Sequence, residues 1–434
     1  MAGWTVAILL LLVFASVPVA AVLGMLTFAL DEFYMDGRLT PAIGEFVWEK
    51  SKEFILVAVP MFILLGEIIL RAGIARRMYA AVVQWVSWLP GGLMHANIGS
   101  CAIFAASSGF SVATAATVGT VAYPEIAKRG YRESIFLGSL AAGGTLGILI
   151  PPSINLILYG LITDTSVPEL YLAGFIPGAV LALLFMAVIV IACLVRPAWG
   201  GERVRTSWGQ RLRTLPDLLP PVLLFGVVVG SIYAGVATPT EAASVGVVFA
   251  LGLAAWTRTL SWEMLRAAFE GTMRTTAMIM LIILAAVFLN FILGFIGVTQ
   301  ALIQGIGALG LTAFETLLII VLFYLILGMF METLSMMLTT IPVVFPLVAS
   351  LDLGIPATQV GVWFGILITV LMETALITPP IGVNLYVVQG IRARGGPFND
   401  VVYGSIPFVG AMIAMVGLLI AFPGLALWLP GMFY

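Results

Sequence analysis

Two proline pairs, each followed by an asparagine, lie inside stretches apolar enough to cross a bilayer: Pro151-Pro152-Ser153-Ile154-Asn155 and Pro379-Pro380-Ile381-Gly382-Val383-Asn384. Proline has no backbone N–H, its ring clashes with the preceding turn, and it pushes the residue before it out of helical geometry. Each pair therefore frees several carbonyl groups. Hydrocarbon offers those groups no water, and non-helical backbone at membrane depth is tolerated only where protein buries it or where it lines a polar cavity. The sequence thus predicts two transmembrane helices broken at mid-depth, which together nominate one ion or substrate site.

The rest of the chain fits a polytopic all-α membrane protein. Hydrophobic residues make up 62% and charged residues 9%, against roughly 25% charged in a soluble domain. The longest polar connection, Arg196 to Asp217, is too short to fold alone, which excludes an appended catalytic module. Met1 to Leu30 has no basic n-region or cleavage site and reads as the first span rather than a signal peptide. Cys101 and Cys193 lie in apolar segments without CxxC spacing, and His95 is the single histidine, so zinc has too few ligands. No resident cofactor is expected, and the net charge of −2 gives no pointer to nucleic acid. None of Lys50, Lys52 and Lys128 follows a glycine, so a phosphate-binding loop is absent. Transport by such a chain draws on an ion gradient unless a separate ATPase subunit is present.

Apolar runs predict spans near 4–30, 54–70, 134–162, 171–195, 218–236, 240–256, 275–295, 359–391 and 405–428. Two further stretches, 93–130 and 316–350, are interrupted near their middles by small polar residues and read as re-entrant hairpins. With Met1 in the cytoplasm, the inside set becomes Arg71, Arg76, Arg77, Lys128, Arg129, Arg132, Arg196, Arg203, Arg205, Arg211, Arg213, Arg258, Arg266, Arg274, Arg392 and Arg394, sixteen of the 19 basic residues. Only Arg38, Lys50 and Lys52 fall outside. Turning either hairpin into a full span destroys this segregation.

An offset of about 228 residues aligns Phe62-Ile63-Leu64-Leu65-Gly66 with Phe291-Ile292-Leu293-Gly294, Ser107 and Ser108 with Thr333 and Ser335, Pro124 with Pro346, and Asn155-Leu156 with Asn384-Leu385. The charge topology gives the two halves opposite orientation, so the chain reads as an inverted repeat. Residues 1–195 form the first copy, 196–217 a cytoplasmic linker and 218–434 the second copy. In the first, Ser107 to Ser111 form a polar hairpin tip facing Gly143-Gly144-Thr145-Leu146-Gly147-Ile148-Leu149-Ile150-Pro151-Pro152-Ser153, where the carbonyls of Gly147, Ile150 and Pro152 leave the helical ladder. Sodium prefers such hard oxygen ligands. The half-helix after Pro152 presents free N–H groups to a substrate carboxylate. The second copy sets Met331-Glu332-Thr333-Leu334-Ser335 against Ala375-Leu376-Ile377-Thr378-Pro379-Pro380. Glu373 is either a functional intramembrane carboxylate or an interior structural partner, while Glu67 and Glu241, nearer span ends, read as partner-bonded or snorkelling. Pro220-Pro221, a third pair just after a charged loop, reads as helix initiation.

The strings Ser107-Ser-Gly-Phe-Ser-Val-Ala-Thr-Ala-Ala-Thr-Val-Gly119, Pro124-Glu-Ile-Ala-Lys-Arg-Gly-Tyr131, Gly144-Thr-Leu-Gly-Ile-Leu-Ile-Pro-Pro-Ser-Ile154, Gly235-Val-Ala-Thr-Pro-Thr-Glu-Ala-Ala243 and Thr378-Pro-Pro-Ile-Gly-Val-Asn-Leu385 resemble the large membrane subunit of tripartite ATP-independent periplasmic (TRAP) transporters. The resemblance spans essentially the whole chain. It implies an elevator-type permease of the bacterial inner membrane that imports organic acids with sodium. Its implied partners are a small four-span membrane subunit and a periplasmic substrate-binding protein. Because the chain opens on the large subunit's first span, that small subunit is expected to be a separate chain. Carried onto this sequence, the first sodium site involves Ser108, Gly147, Ile150 and Pro152 with Thr114 nearby, where some relatives carry Asp. The second involves Thr378, Ile381 and the carbonyl of Ala375, with Thr333 and Ser335 from the second hairpin. Substrate is expected against Ser107, Ser111, Ser153, Asn155 and Asn384.

A stand-alone ion-coupled elevator carrier needing no binding protein is the alternative. An intramembrane enzyme is the third reading; it requires a nucleophile and a base at depth, and Ser108 has only the remote His95 to call on. The proline breaks make a direct prediction: Pro151→Ala combined with Pro152→Ala re-forms helix and weakens sodium-dependent transport without preventing membrane insertion. Uptake at graded sodium concentrations checks it, and unchanged sodium dependence sinks the first-site assignment.

Overall fold

The computed structural model describes residues 17–434 except 203, 205, 298, 299, 302, 303, 306–308, 381, 393 and 394, and describes residues 107, 108 and 127 without their side chains. Among the described residues there is no strand, only an isolated bridge between Tyr131 and Gly200. Among the described residues seven helices are long and apolar enough to cross a membrane, and one bent helix pair brings the number to eight.

The first half comprises α1 (Val19–Met35), α2 (Ile43–Ser51), α3 (Ala58–Arg71), α4 (Ile74–Val86), α5 (Leu93–Ser108), α6 (Ser111–Ala122), α7 (Pro124–Arg129), α8 (Glu133–Leu149), α9 (Ile154–Thr163) and α10 (Val167–Val195). The second comprises α11 (Trp208–Tyr233), α12 (Pro239–Trp256), α13 (Trp262–Ile296), α14 (Ala313–Gly328), α15 (Thr333–Ala349), α16 (Ala357–Leu376), α17 (Val383–Ile391) and α18 (Phe398–Ala421), followed by two short turns of helix. The two expected hairpins are the pairs α5/α6 and α14/α15. The two expected breaks separate α8 from α9, which meet at 43°, and α16 from α17.

Reciprocal capping sets where several spans start. In α11, α12 and α14 the hydroxyls of Ser207, Thr238 and Thr312 accept from the backbone of the third helical residue. The side chains of Gln210, Glu241 and Glu315 bond back to the cap N–H. Glu241 is thus a cap residue, bonded to the Thr238 amide and hydroxyl. Glu67 is likewise paired, with Arg71 at 2.9 Å.

Several boundaries differ from the sequence reading. The first span runs to Met35, beyond Leu30, and the part of it before residue 17 lies outside the described residues. The span expected from 275 begins at Trp262, and the one expected over 405–428 runs from Phe398 to Ala421. The span expected from 218 begins at Trp208, so the polar connection after Arg196 ends at Ser207 and its last stretch is helix. Pro220 and Pro221 consequently lie inside α11 rather than at its start, because the Ser207–Gln210 capping box initiates the helix upstream of them. Helices α2 and α4 were not expected. In α4 the Arg76-Arg77 pair masked a periodic face, Ile74, Ala75, Met78, Tyr79, Ala81 and Val82, which is buried while both arginines are exposed.

Packing divides the helices into contiguous groups. Helices α1, α3, α12 and α13 pack on one another, and α8 packs against α5, α6 and α18. Helices α8 and α16 are the interior elements: α8 is buried from Ile135 to Leu149 and α16 from Val360 to Leu376, so both face protein rather than lipid. The α8–α18 contact is set by two glycines. A Cβ on Gly138 would lie 2.0 Å from the Gly404 carbonyl oxygen, and one on Gly404 would lie 1.9 Å from the Ser134 carbonyl oxygen. At the same end Arg392, just after α17, is joined to Glu133 at the start of α8 (2.6 Å) and to Asp400 on α18 (2.9 Å). Hydrogen bonding to Glu133 raises this guanidinium further above its ordinary pKa, so the charge persists at any pH the protein meets. A buried chain ties α4 to the same group: Tyr79 donates to Asn97 (3.0 Å), Asn97 to Ser139 (2.8 Å), and Ser139 to the Phe136 carbonyl (2.7 Å). Each such bond contributes about 1 kcal/mol.

Gly404→Val is expected to force α8 and α18 apart and to cost about 1–3 kcal/mol or more, as overpacking does. Gly410→Val, at a site where an added Cβ meets nothing within 4 Å, is the control. Thermal unfolding in detergent, followed by size-exclusion chromatography, separates the two.

Candidate functional site

The tip of the first helical pair sits against the first break. Helix α5 ends at Gly109 with φ +63°, a left-handed conformation that glycine adopts freely and that lets the chain reverse into α6 after Phe110. Glycine is also required there for space, because a Cβ would lie 2.7 Å from the Pro152 carbonyl oxygen. From the other side, a Cβ on Gly147 would lie 2.8 Å from Cα of Ser111 and 2.9 Å from the Phe110 carbonyl. The sequence elements expected to form one site, the Ser107–Ser111 tip, Gly147 and Pro152, are therefore in direct backbone contact.

The individual groups are placed as follows. Ile150 caps α8, its N–H bonded to the Leu146 carbonyl, and its extended ψ of 121° takes its own carbonyl out of the helical ladder. Both proline pairs are joined by cis peptide bonds. Ser153 is fully buried and caps α9, accepting from Leu156 N at 3.4 Å. The Thr114 hydroxyl donates to the Phe110 carbonyl at 2.8 Å. Asn155 is buried, and among the described residues its Oδ1 has no partner. The side chains of Ser107 and Ser108 lie outside the described residues, as does Ile381.

In the second half Glu332 caps α15, accepting from the Leu334 and Ser335 amides and from the hydroxyls of Thr333 and Ser335 at 3.1–3.2 Å. The end of α14 packs on α16, where a Cβ on Gly328 would collide with that of Ala375. Past α16 the Thr378 amide bonds the Ala375 carbonyl at 3.2 Å, and the Thr378 hydroxyl bonds the Thr374 carbonyl at 2.7 Å. The two halves then meet. Asn384 donates to the Ala141 carbonyl of α8 at 3.3 Å, and Ser111 donates to both oxygens of Glu373 at 2.9 Å. Sequence reasoning singled out both partners of this last pair without joining them, since 262 positions separate them.

Two clefts flank the region. One of about 190 Å³ runs between α3, α13 and the first tip, lined by Glu67, Phe110, Val112, Ala113, Ile154 and Thr275 among others. Another of about 230 Å³ lies beside α9, α13 and α15, lined by Lys50, Leu158, Asn290, Leu338 and Pro342 among others. The predicted substrate residues do not line the first cleft; their chain neighbours Phe110, Val112 and Ile154 do. His95, at the start of α5, bonds the Pro90 carbonyl at 2.8 Å, and thirteen helical residues place it roughly 20 Å from Ser108. That separation rules out a serine–histidine pair.

The family model described as "Tripartite ATP-independent periplasmic transporter, DctM component" matches residues 6–425. The C4-dicarboxylate TRAP transporter large permease protein DctM of Pseudomonas aeruginosa is 34% identical over 364 residues, covering 84% of this chain and 83% of the relative. The ectoine/5-hydroxyectoine TRAP transporter large permease protein of Ruegeria pomeroyi is 32% identical over 355 residues, covering 82% and 81%. Among solved structures, the YdaH transporter of Alcanivorax borkumensis superposes with a TM-score of 0.63 at 16% identity, over 97% of this chain and 98% of that one, which shows a shared fold.

The geometry predicts that cysteines introduced at Ala113 and Ala116, which line the first cleft, react with a small water-soluble thiol reagent. A cysteine at the buried Ser153 should react far more slowly. Labelling rates measured by mass spectrometry check this, and equal rates at all three positions contradict the placement of the cleft.

Proposed function

Because the chain belongs to the DctM component family of tripartite ATP-independent periplasmic transporters, we propose that it imports a small organic acid by coupling it to inward sodium flow. In this reading the solute is handed over by a periplasmic binding protein, and a small four-span membrane subunit completes the permease. The protein is a multi-pass membrane permease component; the proposal adds the ion, the solute class, the partners and the mechanism. The observation that carries it is the seating of the first hairpin tip in the first helix break. There, Gly109 and Gly147 bring backbone to backbone at a point where carbonyls have left the helical ladder. A sodium ion supplies the positive charge that such carbonyls are oriented to accept.

The first sodium site is assigned to Ser108, Gly147, Ile150 and Pro152 with Thr114 beside it. The second is assigned to Thr378, Ile381, Ala375, Thr333 and Ser335. The solute lies between them, against Ser107, Ser111, Ser153, Asn155 and Asn384, with the N-terminal end of α9 drawing its carboxylate. The repeat is inverted, with re-entrant hairpins, and Met1 is cytoplasmic. Residues 1–195 and 218–434 are its two copies. The two hairpins and broken helices slide as one body past α1, α3, α12 and α13, in the manner of an elevator. Clefts on both flanks of α13 support this motion. The relatives' names cover more than one solute, so the proposal is for a class.

Reconstitution tests the reading. Proteoliposomes holding this chain, the small subunit and the binding protein are expected to accumulate a labelled C4-dicarboxylate or ectoine only when sodium is higher outside. Accumulation by this chain alone removes the need for partners. Accumulation by the full assembly without a sodium gradient overturns the coupling.

A further inference from the structure

A basic cleft lies apart from the helix breaks. Its volume is about 440 Å³, larger than either cleft described above, and α4, α6 and α7 form its walls. From α4 it takes Arg76, Ala80, Val83 and Gln84, which recur at i, i+4, i+7 and i+8 and so share one stripe of that helix. From α7 and the turn before it come Glu125, Lys128 and Arg129. The connection between α10 and α11 closes the remaining side. The Glu202 amide donates to the Arg129 carbonyl at 2.8 Å, the Thr206 hydroxyl donates to the Gln84 carbonyl at 3.3 Å, and Val204 between them lines the cleft. Hydrogen bonds at both ends make this a walled recess, not an open patch.

Three cations meet one carboxylate in it, which leaves two positive charges uncompensated. Glu125 accepts from Lys128 Nζ at 2.9 Å with one oxygen and from Arg129 Nε at 3.0 Å with the other. It thereby holds both side chains side by side, and spends only one donor of each. Across the cleft Arg76 is exposed and has no ion pair among the described residues. A planar carboxylate presents its oxygens along one edge and suits a single guanidinium fork. The tetrahedral oxygens of a phosphate can be met from α4 and from α7 at once.

The setting favours one source of phosphate. Four exposed tryptophans gather at this end of the molecule: Trp88 just after α4, Trp208 at the start of α11, Trp256 at the end of α12 and Trp262 at the start of α13. Tryptophan concentrates at the level of lipid headgroups. A basic recess at that depth meets anionic headgroups, and the apolar Ala80 and Val83 offer a surface to the glycerol and first methylenes below the phosphate. A zwitterionic headgroup would bring its own cation against the surplus positive charge. Arg77, one residue beyond Arg76, leaves the stripe and lines a different cleft with Asp217 and Trp256.

We propose that the cleft between α4 and α7 is a phosphate-binding site, filled by the headgroup of an anionic phospholipid through Arg76, Lys128 and Arg129. The assignment needs only that the chain spans a membrane, and it is independent of the coupling ion and of the transported solute. Because α6 belongs to the first hairpin and α4 does not, a headgroup seated there links the two.

The test uses the purified full chain, stripped of lipid in a neutral detergent and titrated with dioctanoyl phosphatidylglycerol, dioctanoyl phosphatidylcholine or inorganic phosphate. Native mass spectrometry counts what is bound, and thermal unfolding gives the midpoint. Wild type is expected to take up phosphatidylglycerol at one saturable site and to gain thermal stability from it, with phosphatidylcholine bound far more weakly. Arg76→Gln, which removes one charge-assisted contact at an exposed position, is expected to weaken the phosphatidylglycerol midpoint about tenfold. Arg129→Gln should do the same from the opposite wall, and if loss of its bond to Glu125 unfolds the chain, Arg76→Gln alone decides. Arg77→Gln, which removes the same charge one residue away, is expected to leave the midpoint unchanged. Arg76-dependent binding of inorganic phosphate as tight as that of phosphatidylglycerol supports the phosphate site and moves its source from the bilayer to a soluble ligand. Equal binding of the two lipids by wild type, equal weakening by Arg76→Gln and Arg77→Gln, or no saturable binding of any of the three probes overturns the assignment.

Discussion

Everything in this protein follows from the cost of an unpaired backbone carbonyl in hydrocarbon. A continuous helix satisfies its own polar groups and can face lipid. A broken one cannot. The chain therefore flanks its two breaks with enclosed helices: α8 is buried from Ile135 to Leu149 and α16 from Val360 to Leu376, and Pro151 and Pro152 are themselves buried, whereas Pro379 is half-buried and Pro380 exposed. The outer helices that shelter them carry the lipid-facing surface, with exposed residues such as Leu183, Leu281 and Leu322. Around the first interruption the remaining helices leave a cleft that reaches Phe110 and Ile154, the residues on either side of the contact between tip and break.

Much of this was legible in the chain. Pro151-Pro152 and Pro379-Pro380 announce the breaks because proline acts locally, through its own ring and its missing donor. The small-polar runs at Ser107–Ser111 and Thr333–Ser335 announce the helical turns for a similar reason. Less visible was helix α4, since Arg76 and Arg77 look like a loop until the buried face behind them is known. Pro220 and Pro221 misled for the converse reason. A local rule gave helix initiation, but the capping pair Ser207 and Gln210 had already begun the helix upstream. The bond between Ser111 and Glu373 was beyond sequence reading, because it depends on how two distant helices cross rather than on either segment's own pattern.

The site is shaped by small residues as much as by polar ones. Gly109, Gly144 and Gly147 carry no chemistry of their own, yet each occupies a place where a single methyl group would collide with backbone or side chain across the interface. They bring α6 close enough to α8 for the hairpin tip to meet the opened helix. Polar groups from segments far apart in the chain are thereby brought to one place, as in the bond from Ser111 to Glu373.

The contact of Gly138 with Gly404 has a consequence for how such a chain can drift. In an ordinary core, enlarging one residue can be offset by shrinking its neighbour, so the pair wanders through sequence space together. Here the neighbour of each glycine is a carbonyl oxygen of the main chain. Nothing remains to be trimmed. Both positions are locked separately, with no compensating partner available to either, and a lineage that lost one glycine would regain the packing only by reversion or by moving a whole helix.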